Sequence, residues 1–197
     1  MTSKIFQWLI VASVTSTMFS ISKAADSRFG AFYSCNTTIA RNAAKGVTGP
    51  SPSEDPLALF TASLTLFRVG DFQAGIFWFH VSLLRMRESL VLHPAQGGIA
   101  TSFTMAGMPI TEYALHDTKS YAKIVQSVLD WDARAPSPFR NDPEFANKSV
   151  ELAKLREGLV QLRNKLLLEG PEIEAAARAR NGGRDPISWS TKIGCEN

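Results

Sequence analysis

The sequence predicts an all-α protein, an irregular helical bundle that contains a repeat-like helical hairpin and a long C-terminal helix. Apolar residues recur at steps of three and four along several long segments, which is the spacing of one face of an α-helix. Asp, Pro and Gly residues stand where those segments begin and end, as is typical of helix termini. Outside a short C-terminal tail, no segment shows the strand–turn–strand pattern of a β-hairpin.

The first predicted helices lie in the N-terminal part of the chain. A short helix is expected over residues 35–44, followed by a loop. Asp55 and Pro56 then have the residue types of an N-cap and a first helical position. Gly70 is expected to end the helix that they begin. The apolar stripe of this helix is formed by Leu57, Phe60, Leu64 and Phe67.

The next helix is predicted to lie at the centre of the bundle. Asp71 is expected to cap it, and His93 with Pro94 is expected to end it. Apolar residues cover most of its circumference, which is typical of a helix that other helices surround. A narrow polar stripe remains, formed by Gln73, His80 and Arg87.

Further helical segments are predicted in the second half of the chain. They are a short helix around 99–106, a turn over 111–116, a helix that Asp117 caps and that runs to Trp131, and a long helix that starts at Asp142-Pro143-Glu144. Gly170-Pro171 is expected to break the long helix before a helical turn that runs to Arg180. The tail, residues 187–195, alternates apolar and polar residues and is expected to lie extended against the body.

An export signal is predicted at the N-terminus. A short basic start precedes a mostly apolar run over 5–21, and Ser22 and Ala24 are small residues at the positions expected before a cleavage site. We therefore expect residues 1–24 to be a signal peptide and residues 25–197 to form a single helical domain, periplasmic or secreted. The alternative is a membrane anchor. The run has about 17 residues where about 20 are needed to span a bilayer, so no stable membrane insertion is expected after cleavage.

Composition and charge restrict the classes of partner. The chain has 197 residues, 45% of them hydrophobic, which is enough for a sizeable core. Its formal net charge is +3, and residues 1–24 hold two lysines and no acidic residue, so the mature chain has 19 basic and 18 acidic residues. A surface so close to neutral gives no electrostatic basis for binding nucleic acid or an anionic membrane.

The two cysteines favour a disulfide bond. Cys35 and Cys195 lie near opposite ends of the mature chain, and an even number of cysteines in an exported protein is typical of such a bond. Two unrelated buried thiols are the alternative. A bond across so long a loop would stabilise the fold by about 4–5 kcal/mol at most in the loop-entropy account. We therefore expect the bond to tie the two terminal segments together.

Residues 57–92 carry a resemblance to a known family. Two amphipathic helices are joined by Gly70-Asp71-Phe72, with small residues at Gly75 and Ser82 and an aromatic ring at Phe79. This pattern resembles the helical hairpin of a tetratricopeptide repeat, and it covers about a fifth of the chain. The resemblance implies closely paired helices with an aromatic ring filling the gap between them. It also implies binding of a protein or peptide rather than catalysis.

Arg85 is the most informative candidate for a binding residue. It lies on the helix that is predicted to be largely buried, and a cation there needs a carboxylate, carbonyl groups or a ligand. We expect an internal carboxylate from residues 112–132. Within that range, Asp130-Trp131-Asp132 is interpreted as a solvated helix end with Trp131 in the core. The candidate binding residues are Trp78, Arg85, Arg87, Asp130 and Trp131.

The sequence favours a binding function over catalysis. Its three histidines form no metal-binding motif and no nucleophile motif is present, so no catalytic residue, metal or cofactor is expected. We expect a small exported protein-binding protein, such as an immunity protein or inhibitor that blocks a secreted effector, using a concave helical surface or the loop 93–111. One alternative is a structural or adaptor protein of the cell envelope. Another is a hydrolase whose site uses scattered residues such as Asp130 or Glu112. The oligomeric state stays open.

Overall fold

The helices of the chain agree with the predicted fold class. A computed structural model describes residues 30–94 and 98–180, and over these residues the chain forms helices and no strand. The helices that lie wholly within these ranges are α1 (Thr37–Thr48), α2 (Pro56–Arg68), α3 (Phe72–Leu92), α4 (Gly98–Ala106), α5 (Met108–Ala114), α6 (Thr118–Arg134), α7 (Ser149–Leu168) and α8 (Gly170–Arg180). The prediction of an all-α helical bundle is confirmed.

Three predictions concern residues outside the described ranges. They are the signal peptide over 1–24, the alternating tail over 187–195, and the pairing of Cys195. The Cys35–Cys195 disulfide therefore stays a prediction. Within the ranges that the structure describes, no helix combines the length and the apolar character that crossing a membrane requires.

Helix α3 occupies the centre of the bundle, as predicted. It packs against α2 on one side and against α6 and α7 on another, and α4 and α5 also contact it. Its buried apolar residues, among them Ile76 and Phe79, join side chains such as Phe60 and Val125 in one core. Stacked rings extend this core towards α4, because the ring centroids of Phe60 and Phe103 are 4.1 Å apart.

The predicted N-caps have different outcomes. The Asp55 carboxylate accepts a hydrogen bond from the backbone N–H of Leu57 at 2.9 Å, with Pro56 in the first turn, so this cap is confirmed. Asp117 likewise caps α6. Asp71 does occupy the N-cap position of α3, but its carboxylate makes no cap hydrogen bond and instead accepts one from Nε of Arg41 at 2.8 Å. This ion pair with α1 draws the side chain away from the start of α3.

Two boundaries differ from the sequence expectation. Helix α1 begins at Thr37, because Asn36 accepts hydrogen bonds from the backbone N–H groups of Thr38 and Ile39. The long helix α7 begins only at Ser149, although Asp142 was expected to start it. Asp142 does accept a hydrogen bond from the backbone N–H of Glu144 at 2.9 Å, but the residues that follow form turns rather than a continuous helix. Asp142 therefore starts a turn and not the long helix.

The α2–α3 hairpin has the close packing that the repeat resemblance implies. Gly70 adopts φ +88°, and the backbone N–H of Asp71 donates to the carbonyl of Leu66 at 2.9 Å, which closes α2 in the manner of a Schellman motif. A Cβ placed on Gly75 would lie 2.9 Å from both the Cβ and the backbone N of Phe67. The helices therefore approach so closely that only glycine fits at residue 75.

Replacing Gly75 by Ala is expected to destabilise the protein by about 1–3 kcal/mol. The added methyl group meets the backbone of Phe67, which cannot move without shifting α2, and this cost exceeds the gain of up to about 1 kcal/mol in helix propensity. Gly158→Ala is the matched control, since no atom lies within 4 Å of that added Cβ. Urea unfolding should show a loss for Gly75→Ala and a small gain for Gly158→Ala. A gain in both variants would contradict the close approach.

Candidate functional site

Arg85 is buried and held by carboxylates, as predicted. Its side chain is 2% exposed, and Nη1 lies 2.8 Å from Oε1 of Glu88 and 2.8 Å from Oδ1 of Asp132. Nη2 donates to the backbone carbonyl of Ala135 at 2.9 Å. Asp132 belongs to the range 112–132 from which a partner was expected, so that prediction is confirmed. Glu88 was not predicted, although its position three residues after Arg85 on one helix is a recognisable signal for a pair.

Both carboxylates have a second partner. Oδ2 of Asp132 lies 3.2 Å from Nε of Arg156 on α7, and Oε2 of Glu88 accepts a hydrogen bond from the hydroxyl of Ser137 at 2.9 Å. We call Arg85, Glu88, Asp132 and Arg156 the Arg85 cluster. It contains two cations and two anions, so its formal charge is zero. Burial raises the pKa of Glu88, and the adjacent Arg85 guanidinium opposes that shift.

The expectation for the end of α6 is therefore partly wrong. Asp130 is exposed, as expected of a solvated helix end, and accepts a hydrogen bond from Nε2 of Gln126 at 2.7 Å. The side chain of Asp132 is only 6% exposed and faces the Arg85 cluster. Two residues correspond to about 200° around a helix, so Asp132 turns inward where Asp130 turns outward.

Two tryptophans flank the cluster. The centroid of the Trp131 ring lies 5.1 Å from Cζ of Arg85, which is within the range of a cation–π contact. The same ring meets that of Trp78 edge to face, with centroids 5.8 Å apart. Both tryptophans are half-buried. The fold thus brings together three of the candidate binding residues: Trp78, Arg85 and Trp131.

Arg87 and Asp130 are not part of this group. Arg87 is exposed on α3, and its position two residues from Arg85 turns it towards a different side of the helix. Asp130 faces solvent on α6 for the same geometric reason. Whether either residue binds a partner stays a prediction.

A cavity of about 270 Å³ opens beside the cluster. Arg85, Trp131 and Leu59 line it from the helices, and residues 52–54 and residues of the 135–141 segment line it from two loops. Three of the lining residues are prolines: Pro52, Pro136 and Pro138. Pro136 and Pro138 make residues 136–138 a stiff connector, and no local sequence pattern indicates that this connector meets the loop before α2.

The cluster fixes the loop that forms the cavity wall. The carbonyl of Ala135 accepts from Arg85, and the hydroxyl of Ser137 donates to Glu88. The backbone N–H of Phe139 in turn donates to the oxygen of Ser137 at 3.2 Å. Side chains of α3 therefore hold the segment at residues 135 and 137, and the hydrogen bond within the loop extends this to residue 139, which gives the cavity a defined shape.

His80 forms a second buried polar contact. Its Nε2 lies 2.7 Å from the hydroxyl oxygen of Tyr121 on α6, and the two side chains share a hydrogen bond. The sequence predicts that His80 belongs to the narrow polar stripe of this helix. That expectation is wrong, because His80 is buried, at 7% exposure. Burial, with a smaller effect of Arg87, lowers the pKa of His80 to about 4. Burial also raises the pKa of Tyr121.

An apolar groove of about 420 Å³ lies on another part of the surface, between α2 and the α4–α5 pair. Leu64, Phe67 and Ile110 form part of its lining, and Arg68 is the charged residue among the lining residues. Tyr33 and Met105, at its edges, are 68% and 66% exposed. We refer to this feature as the apolar groove.

The carboxylates considered for hydrolysis are engaged in surface pairs. Glu112 lies 3.2 Å from Nη2 of Arg180, and Asp130 accepts from Gln126. Among residues 30–94 and 98–180, no group of three His, Cys, Asp or Glu side chains is arranged to hold a metal ion. The hydrolase alternative stays a prediction.

Comparison with known proteins finds no match to a protein-family model, to a curated protein or to a solved structure. The resemblance of residues 57–92 to a tetratricopeptide hairpin therefore rests on its residues and on the close approach at Gly75.

Proposed function

We propose that this chain is a small exported protein-binding protein and that the cavity beside Arg85 receives one side chain of its partner. The observation that carries the proposal is the Arg85 cluster, which holds residues 135–139 in place around the cavity. The export part rests on the predicted signal peptide over 1–24 and on the predicted Cys35–Cys195 bond. In its specific form, the protein is an immunity protein or inhibitor that blocks a secreted effector.

The size of the cavity is compatible with one inserted side chain. Sites for cofactors and small ligands usually enclose about 300–1,000 Å³. The cavity, at about 270 Å³, is close to the lower end of that range. A single side chain that projects from a protein surface fits such a volume.

The walls of the cavity are suited to serve as an anchor site. Ordering a loop on binding costs free energy. A cavity wall that is already fixed avoids this cost, so the complex is more stable for the same contacts. Here Pro136 and Pro138 restrict the backbone, and Glu88 holds Ser137 between them. Trp131 and Arg85 are of the residue types that dominate binding energy at protein interfaces.

The charge of the cluster indicates the chemistry of the inserted side chain. Arg85 is the buried cation of the lining, and Glu88 and Asp132 already neutralise it. A partner carboxylate would lose its hydration without gaining an unpaired buried cation. Two exposed residues of opposite charge, Glu54 and Arg140, also line the cavity, and together they favour neither sign of charge in the inserted side chain. We therefore expect an uncharged side chain, which would pack against Trp131 and the prolines.

Filling the cavity mouth is expected to abolish capture of the partner. Asn141 lines the cavity and is exposed, so Asn141→Trp places a bulky ring at the opening and leaves the Arg85 cluster intact. The matched control is Ser127→Trp, an exposed position on α6 that does not line the cavity. Each mature protein, immobilised by one terminus, would capture proteins from a cell-envelope extract for mass spectrometry. The proposal is supported if wild type and Ser127→Trp capture the same partner and Asn141→Trp does not. Equal recovery by all three proteins contradicts it.

The α2–α3 hairpin favours a second candidate function, that of an adaptor of the cell envelope. Its close helix approach at Gly75 is the feature shared with a peptide-binding repeat. The identity of the captured partner distinguishes the inhibitor from the adaptor. A toxic effector whose activity falls when an equimolar amount of this protein is added indicates an inhibitor. A structural envelope component with no activity to block indicates an adaptor.

A further inference from the structure

A shallow pocket of about 300 Å³ lies between α6 and α7, and we propose that it binds a small phosphate monoester. It shares no lining residue with the cavity beside Arg85. Three features support the assignment: the charge of the lining, the hydrogen bonds of its polar groups, and the apolar surface next to them. The lining residues are Ala122, Lys123 and Gln126 of α6 and Arg163, Asn164 and Leu167 of α7.

The charged residues of the lining are both cations. Lys123 and Arg163 face the pocket, and no acidic residue lines it. Within residues 30–94 and 98–180, neither cation forms an ion pair with a carboxylate. Hydrogen bonds from Ser120 and, to a smaller extent, the charge of Lys123 lower the pKa of Asp117, whose two carboxylate oxygens both accept from Ser120. Two like charges in one pocket repel each other, and an anion bound between them would remove that repulsion.

Arg163 is half-buried, and neutral groups hold its side chain. Its Nε and Nη2 both donate to Oδ1 of Asn164, at 3.1 and 2.8 Å, and its Nη1 donates to Oε1 of Gln126. A guanidinium has five N–H donors, so one N–H remains on each terminal nitrogen. Because the partners are amides, they orient the guanidinium without neutralising its charge.

The polar groups of the pocket that remain available are donors. The side-chain oxygens of Gln126 and Asn164 accept from Arg163, and Nε2 of Gln126 donates to the carboxylate of Asp130 at 2.7 Å. In the part of the chain that the structure describes, neither the ammonium of Lys123 nor Nδ2 of Asn164 has an acceptor. A pocket with spare donors and two cations suits an anion that carries several oxygens.

The number of these donors favours a phosphate over a carboxylate. A phosphate monoester carries three terminal oxygens and a charge of about −1.5 to −2 at neutral pH. A carboxylate has two oxygens and a single charge. Two N–H groups of Arg163, the ammonium of Lys123 and the amide of Asn164 therefore match the phosphate more completely.

Apolar surface adjoins the cations. Ala122 and Leu167 line the pocket, and Leu167 is 59% exposed. The aliphatic stems of lysine and arginine add further apolar surface. Covering such surface is favourable, so an organic group next to the phosphate would strengthen binding. The volume of about 300 Å³ lies at the lower end of the range for small ligands, which suits a compact monoester.

Titration of the mature protein with phenyl phosphate, followed by NMR at fixed pH and ionic strength, tests the proposal. We expect saturable shifts in signals from residues of the pocket. The Kd should weaken at least about tenfold in Arg163→Gln, which loses a charge and its donors, and about threefold in the exposed variant Lys123→Gln. Lys154→Gln is the matched control, because Lys154 is exposed on α7 and does not line the pocket. Unchanged affinity in either pocket variant, or an equal loss in Lys154→Gln, would overturn the proposal.

Two further ligands test the two parts of the monoester separately. Inorganic phosphate makes the anion contacts alone, so it should bind more weakly than phenyl phosphate. Benzoate keeps the ring and replaces the phosphate by a carboxylate, so it should also bind more weakly. Equal or tighter binding of inorganic phosphate overturns the apolar contact, and equal or tighter binding of benzoate overturns the choice of phosphate. These titrations need no protein partner, so they can fail while the capture experiment succeeds.

Discussion

Replacing Arg85 by Met is expected to lower the free energy of unfolding by about 3–5 kcal/mol, the usual cost of removing one member of a buried ion pair. Met is unbranched, follows the same path as the arginine stem and fills much of its space, so the loss reports mainly the missing guanidinium and its charge. Glu88 would be left buried without its cation, and the carbonyl of Ala135 would lose its donor. Because these groups hold the cavity wall, residues 135–139 should also become less ordered.

Arg87→Met is the matched control for this prediction. Arg87 lies on the same helix but is exposed, and surface substitutions of this kind usually change stability by less than about 0.5 kcal/mol. Urea unfolding of both variants at neutral pH measures the difference. Similar small losses in the two proteins would show that the Arg85 cluster contributes little to stability.

Acidification from pH 7 to about pH 4 is expected to cost about 3 kcal/mol of stability through His80 alone. The unfolded chain binds a proton at His80 near pH 6.5, whereas burial holds the pKa in the folded protein at about 4. Between these values the unfolded state binds more protons, so stability is complete above about pH 6.5 and falls as the pH approaches 4. The driving cause is that an imidazolium would be buried beside Tyr121 and near Arg87.

The variant His80→Gln isolates this contribution. Gln can still form a hydrogen bond with the hydroxyl of Tyr121 and does not titrate, while every carboxylate titrates as in the wild type. The stability difference between the two proteins, measured by urea unfolding at several pH values, should shift by about 3 kcal/mol in favour of the variant between pH 7 and pH 4. A difference that stays constant over this range would contradict the buried neutral histidine.

The sequence was sufficient for features that depend on one helix at a time. Apolar residues spaced three and four positions apart predict α3 and its central position. The N-caps at Asp55 and Asp117 lie where their residue types predict them. Arg85 belongs to this group, because a cation on a helix that is apolar on most sides requires a buried counter-charge. That requirement is physical, and it predicts a carboxylate from residues 112–132, although not that Asp132 is the residue in contact.

Features that depend on contacts between distant segments could not be predicted in this way. The cavity needs residues 52–54 and 135–141 to meet, and no local pattern relates these two loops. His80 was assigned to a polar stripe because its neighbours are apolar, but its partner, Tyr121, lies 41 positions further along the chain. Asp71 has the residue type of a cap, and Arg41 of α1 competes for its carboxylate.

The central claim, that the cavity beside Arg85 anchors a partner protein, is tested most directly by the affinity of the purified partner. Once capture has identified that partner, calorimetric titration would compare wild type, Asn141→Trp and Ser127→Trp at the same pH and salt. We predict a Kd at least about tenfold weaker for Asn141→Trp, the change expected when a contact worth 1.4 kcal/mol or more is lost. Ser127→Trp should bind as the wild type does. Equal affinities for all three proteins would show that the partner binds elsewhere on the surface.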